Sequence, residues 1–322
     1  MSDSSVLYIF PGQGSQYAGI GSDLVKVSQA ARDVYQEASD TLGYDMQKLS
    51  FEDPDSKINL TRYTQPVLLT HSIACLRAMQ ESQQAAAPQA SVMAGHSLGE
   101  YSALVAAGAL SFADGVKLVS IRGSLMGEHG EGEMEALPVE QEVAQSYANR
   151  FYCAVAACNL ADQTVVGGRS EDLDFLTRAF SEDNPRKRSA RLKTEGAFHT
   201  YYMVTAAMEF RQHLENTLFS SPQCQVMSNF TGSQHDDDPK AIRTRLFFQL
   251  IHPVLWNQNL LNAVDTGVNK VIEFGGGIGK GETPEEKRPN LEGIVKKTFR
   301  RSENPPSYQA IINEPTLQAL ST

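Results

Sequence analysis

Cysteine is scarce in this 322-residue chain, and Cys75, Cys153, Cys158 and Cys224 are too few and too scattered for a disulfide framework. Cys153 and Cys158 share the apolar run 151–158 with no histidine close by, so they read as core thiols, and no metal is expected. Long hydrophobic runs are missing too. None approaches the roughly 20 apolar residues that span a bilayer, and Met1 to Phe10 holds no basic leader ahead of its apolar run, so a cytoplasmic protein with no membrane contact is expected. Nor is there an excess of positive charge: 28 Lys and Arg against 38 Asp and Glu leave a formal net charge of −10, which argues against a nucleic-acid partner. With 41% hydrophobic and 20% charged residues the chain is not disordered, and its length allows a large core with an inserted subdomain.

What is present centres on Val92-Met93-Ala94-Gly95-His96-Ser97-Leu98-Gly99-Glu100. A short apolar run meets Gly-x-Ser-x-Gly, and a helix-compatible segment, Tyr101 to Leu110, follows at once. That order is strand, sharp turn, helix, with Gly95 and Gly99 giving room to a serine held at a strained backbone position. Ser97 would point into a cleft beside the unpaired N–H groups of a helix N-terminus. The pattern is short, and a Gly-Ser-Gly turn is usually only a turn.

Elsewhere, Val6 to Phe10 is a buried-strand pattern that ends in the glycine loop Pro11 to Gln16, where Tyr17 breaks a dinucleotide fingerprint. Leu24, Val27, Ala31, Val34, Tyr35 and Ala38 share a helical spacing. So do Val67, Leu68, His71, Cys75 and Met79 after a turn at Pro66, which makes His71 a core or pocket-edge histidine. Ser111-Phe112-Ala113-Asp114 has the form of a capping box, and the helix it opens carries Arg122 on the same face as Leu118, Leu125 and Met126. An arginine on an apolar stripe either snorkels to the surface or meets an anion. From residue 128 to 195 the patterns run βαββαβ, a ferredoxin-like unit inserted in the main domain. Strand-like Cys224 to Ser228 and Val268 to Phe274 follow, and then a glycine-rich turn leads to a polar segment, 282–290, expected to be mobile.

Five stretches, in this order and at compatible spacing, give the chain a family likeness: Phe10 to Gln16, Gly95 to Glu100, Arg122-Gly123, Gly196 to His199, and Gln249-Leu250-x-x-Pro253-Val254-x-Trp256. Over residues 6 to 300 the sequence resembles the malonyl-CoA:acyl carrier protein transacylases, including the discrete acyltransferases of polyketide assembly lines. The resemblance implies an α/β protein, with an α/β-hydrolase-like large subdomain (1–127 and 196–322) and an inserted ferredoxin-like small subdomain (128–195). It implies a ping-pong transfer of malonyl from CoA, through a Ser97 ester, to the phosphopantetheine thiol of an acyl carrier protein, with no bound cofactor and the enzyme a monomer.

On the same ground His199 would be the general base, its imidazole oriented by the backbone carbonyl of Gln249. Gln13 and Leu98 N–H groups would form the oxyanion hole, and Arg122 would clasp the malonyl carboxylate. His96, Phe198 and Met126 would line the acyl pocket, Phe198 where an α-substituent would go, with Tyr201 and Tyr202 next in line for selectivity. Carrier docking is expected on the basic cluster Arg186, Lys187, Arg188, Arg191 and Lys193, ahead of a second cluster at Lys296, Lys297, Arg300 and Arg301. Against the family pattern, Gly276 stands where proline is usual, the insertion at 278–290 is longer, the loop after Arg122 is short and acidic, and Thr200-Tyr201-Tyr202 follows the base; these departures leave the donor open between malonyl and hydroxy- or aminomalonyl. An editing acyl hydrolase on the same fold and a non-catalytic docking protein are the alternatives; the arginine speaks against the first, the Ser97 and His199 pair against the second.

Overall fold

The computed structural model describes residues 5–320; the first four residues of the Met1–Phe10 stretch and the last two of the expected large subdomain lie outside the described residues. Its strands, in chain order, are β1 (Ser5–Phe10), β2 (Ala90–Gly95), β3 (Glu133–Leu137), β4 (Ala154–Leu160), β5 (Gln163–Gly168), β6 (Ala190–Leu192), β7 (Gln225–Val226), β8 (Val268–Phe274) and β9 (Ser307–Ile311). One sheet runs β7-β2-β1-β8-β9 with all neighbours parallel. A parallel sheet is covered on both faces, which is why β1 is a continuous apolar run: Leu7, Ile9 and Phe10 are all fully buried. Being central, β1 and β2 deliver their carboxyl ends, Phe10 and Gly95, to one place, joined by a His96 N–H bond to the Phe10 carbonyl (3.0 Å).

The second sheet is antiparallel, in the order β4-β5-β3-β6. With helices Gln141–Arg150 and Ser170–Asp183 between its strands, it is the expected βαββαβ ferredoxin-like unit. Its helices have their own core, with Leu137, Ala144, Val155, Val166, Leu173 and Phe180. Met134, Ala157 and Val165 join the core of the large sheet. Backbone hydrogen bonds fasten the unit to its host at both a strand and one end. Val254 exchanges backbone hydrogen bonds with β4, to Ala156 (3.0 Å) and from Cys158 (2.9 Å), and Ala197 N–H reaches the Glu131 carbonyl (2.8 Å).

Several local expectations need correction. The stripe from Leu24 to Ala38 is two helices, Leu24–Val27 and Gln29–Leu42, because Ser28 is extended and its hydroxyl caps the second by accepting from Ala31 N–H; Val27 is left exposed. Pro66 opens no helix; it lies within Thr61–Gln83. At Ser111 the hydroxyl accepts from Asp114 N–H (3.0 Å), but the Asp114 carboxylate turns to that same hydroxyl (2.7 Å). The polar segment 282–290, expected to be mobile, is tied down. Ile278 and Arg288 exchange backbone hydrogen bonds, Thr283 and Glu286 form a capping box, and Asn313 Nδ2 donates to the Pro284 carbonyl (2.7 Å). Gly276 has φ +71, which a proline could not adopt, and Gly277 N–H ties this turn to Ser15 of the glycine loop (2.8 Å). Among the described residues no helix is long and apolar enough to cross a membrane.

Candidate active site

The turn after β2 is the expected elbow. Ser97 has φ +54, and the helix Gly99–Ala106 starts two residues later. Side chains on the flanking glycines would not fit: a Cβ on Gly95 would lie 1.8 Å from the Gly99 carbonyl carbon, and one on Gly99 would lie 2.2 Å from the Phe10 carbonyl oxygen. Positive φ at a non-glycine residue costs about 1–3 kcal/mol. Asn229 helps hold it, accepting from Ser97 N–H (2.6 Å) and donating to the Gly95 carbonyl (2.8 Å).

His199 arrives from the end of the inserted unit. Its Nε2 is 2.7 Å from Ser97 Oγ, and its Nδ1 is 2.7 Å from the Gln249 backbone carbonyl. A carbonyl only accepts, so Nδ1 carries the proton and Nε2 presents a lone pair to the serine hydroxyl. Burial, reinforced by the nearby Arg122 charge and opposed by the Gln249 carbonyl, lowers the imidazole pKa to about 3. The ring is therefore neutral at pH 7, as a base must be. Gln13 and Leu98 both line the cavity in front of this pair. Among the described residues their backbone N–H groups, which lie outside regular elements, have no acceptor within the protein.

Arg122 does not snorkel. It is fully buried in the helix Phe112–Glu128, donating to Gln65 Oε1 (2.9 Å), to Gln249 Oε1 (3.0 Å) and, at 3.4 Å, to Ser97 Oγ, with its guanidinium 5.3 Å from the Tyr101 ring centre. Gly123 brings Gln65 within reach: a Cβ there would come within 2.5 Å of the Thr61 carbonyl oxygen, so only glycine lets the two helices approach this closely. The two amide oxygens are neutral, so the cation is hydrogen-bonded without a directly contacting anion, and burial lowers its pKa. A buried charge in that condition is costly until an anion arrives.

The cavity holding these groups is about 910 Å³, within the range of small-molecule sites. Its walls include His96, Phe198 and Met126, as expected. His96 Nε2 meets Asn159 Oδ1 (2.8 Å) and its ring is edge-on to Trp256, while Met126 Sδ accepts from Gln65 Nε2 (3.4 Å). Tyr201 and Tyr202 are not on this wall; they stack on each other, and Tyr201 O–H donates to the Tyr152 carbonyl (2.5 Å). His71 is a core histidine, its Nε2 3.1 Å from the Ile312 carbonyl. All four cysteines are free, and no cluster of metal-ligating side chains occurs among the described residues.

The basic cluster at the end of the insertion is smaller than its sequence. Arg191 is taken up by Glu133, Glu135 and Asp174. Arg186, Lys187 and Arg188 are exposed and stand off the cavity wall, which Lys193 does line. In the second cluster, Lys296 pairs with Glu292 (2.6 Å).

Sequence reasoning assigned no role to Gln65, Asn159, Asn229, His235 or the carboxylate of Glu100. Buried Glu100 is the hub: Oε1 faces His235 Nε2 (2.7 Å), and Oε2 accepts from Gln249 Nε2 (2.7 Å) and Asn229 N–H (3.0 Å). The one signal available beforehand was an acidic residue in the first turn of a helix with no other charge. Asn229 and His235 come from a loop whose pattern carries no such mark.

A serine on a strained elbow, a neutral histidine against its hydroxyl and a buried arginine beside both define a serine-dependent acyl transferase, and residues 7–275 match the family described as the acyl transferase domain. Over 307 residues the chain is 35% identical to the malonyl CoA-acyl carrier protein transacylase of Bacillus subtilis strain 168, covering 92% of each. It is 34% identical over 277 residues to the polyketide biosynthesis malonyl CoA-acyl carrier protein transacylase BaeC of Bacillus velezensis, covering 84% of this chain and 93% of that one. A malonyl-transacylase solved in complex with its type II polyketide synthase acyl carrier protein superposes with a TM-score of 0.86 at 31% identity, covering 98% of both chains. The chain belongs to the malonyl-CoA:acyl carrier protein transacylase family.

Proposed function

We propose that this enzyme moves a malonyl group from CoA to the phosphopantetheine thiol of an acyl carrier protein by way of an ester on Ser97. In the first half-reaction Ser97 Oγ attacks the thioester carbonyl carbon while His199 Nε2 takes the hydroxyl proton. The oxyanion receives the Gln13 and Leu98 N–H groups. Collapse breaks the carbon–sulfur bond, and CoA leaves as a thiol with the proton from His199. In the second half the carrier thiol gives its proton to His199, its sulfur attacks the ester, and Ser97 leaves with that proton restored. Gln249 orients the base with a backbone carbonyl where other serine enzymes use a carboxylate. The chain's own residues supply every group in the scheme, so it calls on no cofactor. All of these groups come from one chain, which supports a monomer as the working unit, and four free thiols support placement in a reducing cytoplasm.

The observation that carries this reading is the 3.4 Å between Arg122 NH2 and Ser97 Oγ. A malonyl ester on Ser97 would hold its free carboxylate two carbons from the ester oxygen, within reach of a guanidinium that lacks a directly contacting anion. An editing hydrolase for uncharged acyl groups has no use for that cation. His96, Phe198 and Met126 would then border the acyl chain. For docking of the carrier we retain Arg186, Lys187 and Arg188, with Lys193 as the link to the cavity. Reversing those three to Glu is expected to raise KM for the carrier without slowing acylation by malonyl-CoA, and an unchanged KM would move docking to the cluster Lys296, Lys297, Arg300 and Arg301.

The test of the whole reading is the intact mass after incubation with malonyl-CoA or acetyl-CoA. A lasting malonyl adduct, absent in Ser97→Ala, is expected. Rapid hydrolysis would favour the editing enzyme, and no adduct at all a docking protein.

A further inference from the structure

Gln249 serves four partners at once. Its backbone carbonyl holds the base; its side-chain Oε1 accepts from Arg122 NH2 (3.0 Å); its Nε2 donates to the Ser97 carbonyl (2.9 Å) and to Glu100 Oε2 (2.7 Å). The amide orientation follows from chemistry. A guanidinium only donates and a carboxylate only accepts, so the oxygen must face Arg122 and the nitrogen Glu100. Glu100 is itself fixed, fully buried, by His235 at Oε1 and Asn229 N–H at Oε2.

We propose that Glu100, braced by His235, is a positioning residue for recognition of the substrate carboxylate: by demanding the nitrogen of Gln249, it turns the amide oxygen to Arg122 and aims the guanidinium at the acyl group on Ser97. This rests on the malonyl-transfer reading and deepens it. With Gln65 Oε1 on the other nitrogen (2.9 Å), Arg122 is held between two neutral oxygens, both presented by glutamines. The only carboxylate in this network sits one amide away. A carboxylate touching Arg122 directly would compete with the substrate; one acting through Gln249 orients the cation without occupying it. Without that demand the Gln249 nitrogen keeps only the Ser97 carbonyl as an acceptor, and the amide that faces Arg122 is held less firmly.

Glu100→Gln is the test, because a neutral amide has the same shape but only one acceptor oxygen for the donors at His235, Gln249 and Asn229. The readout is kcat/KM for acylation by malonyl and by acetyl thioesters. We expect the malonyl-to-acetyl ratio to fall at least five-fold, mainly through KM for malonyl. In a Gln249→Met background the ratio should already be low, and adding Glu100→Gln should change it less than two-fold, since coupled residues are not additive. Should Glu100→Gln fail to fold, His235→Phe, which removes the brace, is expected to lower the ratio and His235→Gln, which keeps an N–H donor, to retain most of it. Equal loss toward both thioesters, or the same change in ratio with and without Gln249, would overturn the proposal. Absence of any malonyl adduct in the unaltered protein would sink the transacylase reading itself, so the two failures are distinguishable.

Discussion

Ser97 and His199 lie 102 positions apart in sequence and 2.7 Å apart in space, and each holds a positive φ, +54 and +60. The strain is shared by the two ends of one hydrogen bond. Replacing His199 by Ala is expected to slow acylation about a hundred-fold or more, the usual range for a positioned base. Single-turnover mass spectrometry of the ester measures it, and a loss under ten-fold would mean another group takes the proton.

The pH dependence has a definite sign. A folded pKa of about 3 keeps the His199 imidazole unprotonated far below the ordinary histidine value. Acylation should therefore show no acid limb near pH 6.5. The check is kcat/KM from pH 5 to 8 with a malonyl thioester of a small thiol, which avoids titration of the CoA phosphates. A fall of ten-fold or more between pH 7 and 5 would show that the base is less buried than described.

Arg122→Ala should lose malonyl transfer selectively. A charge-assisted pair of about 2 to 3 kcal/mol is made only when the substrate has a carboxylate, so the malonyl-to-acetyl ratio should drop between about 30- and 150-fold. Equal loss for both thioesters would make Arg122 structural.

Phe198 is buried on the cavity wall beside the base. Phe198→Ser should improve methylmalonyl relative to malonyl transfer, within the roughly 1 to 3 kcal/mol that one methyl group allows. Competition between the two thioesters measures the ratio. No change would direct attention to Met126 and His96, since Tyr201 and Tyr202 are off the wall.

Gly99→Ala probes the elbow's crowding. Its Cβ would sit 2.2 Å from the Phe10 carbonyl oxygen, so backbone must move; a drop in Tm of several degrees is expected, with loss of acylation. Gly293→Ala, where nothing lies within 4 Å of the added atom, is the control and should leave Tm unchanged or slightly raised.

What could be read beforehand were the groups whose chemistry is tied to local pattern. Ser97 sits between two glycines, Arg122 interrupts an apolar stripe, and the βαββαβ order of the insertion follows from alternating periodicities. Gln65, Asn229 and His235 were invisible for a physical reason. Each is an ordinary polar residue whose role depends on a partner far along the chain, and polarity alone does not say where a side chain is buried. Pro66 misled because proline marks helix starts by habit, while the helix is held by buried contacts on both sides of it. The tied-down segment 282–290 misled because its polar composition gives no hint of Asn313 or Ile278 waiting to bind it.

The two ends of the inserted unit meet. A Cβ on Gly130 would lie 2.3 Å from the Glu195 carbonyl oxygen, and Ala197 N–H bonds to the Glu131 carbonyl. Chain leaves and re-enters the large subdomain through one narrow doorway, so the loop that closes it is short whatever the size of what hangs beyond. The small subdomain is thereby an exchangeable cassette. Swapping it between relatives would replace one wall of the cavity, with Met134, Ala157, Asn159, Val165 and Leu192, while leaving uncut the strands that carry Ser97 and the helix that carries Arg122. The seam at Val254, the His96 to Asn159 and Tyr201 to Tyr152 hydrogen bonds, and the packing of Met134, Ala157 and Val165 would need to be matched.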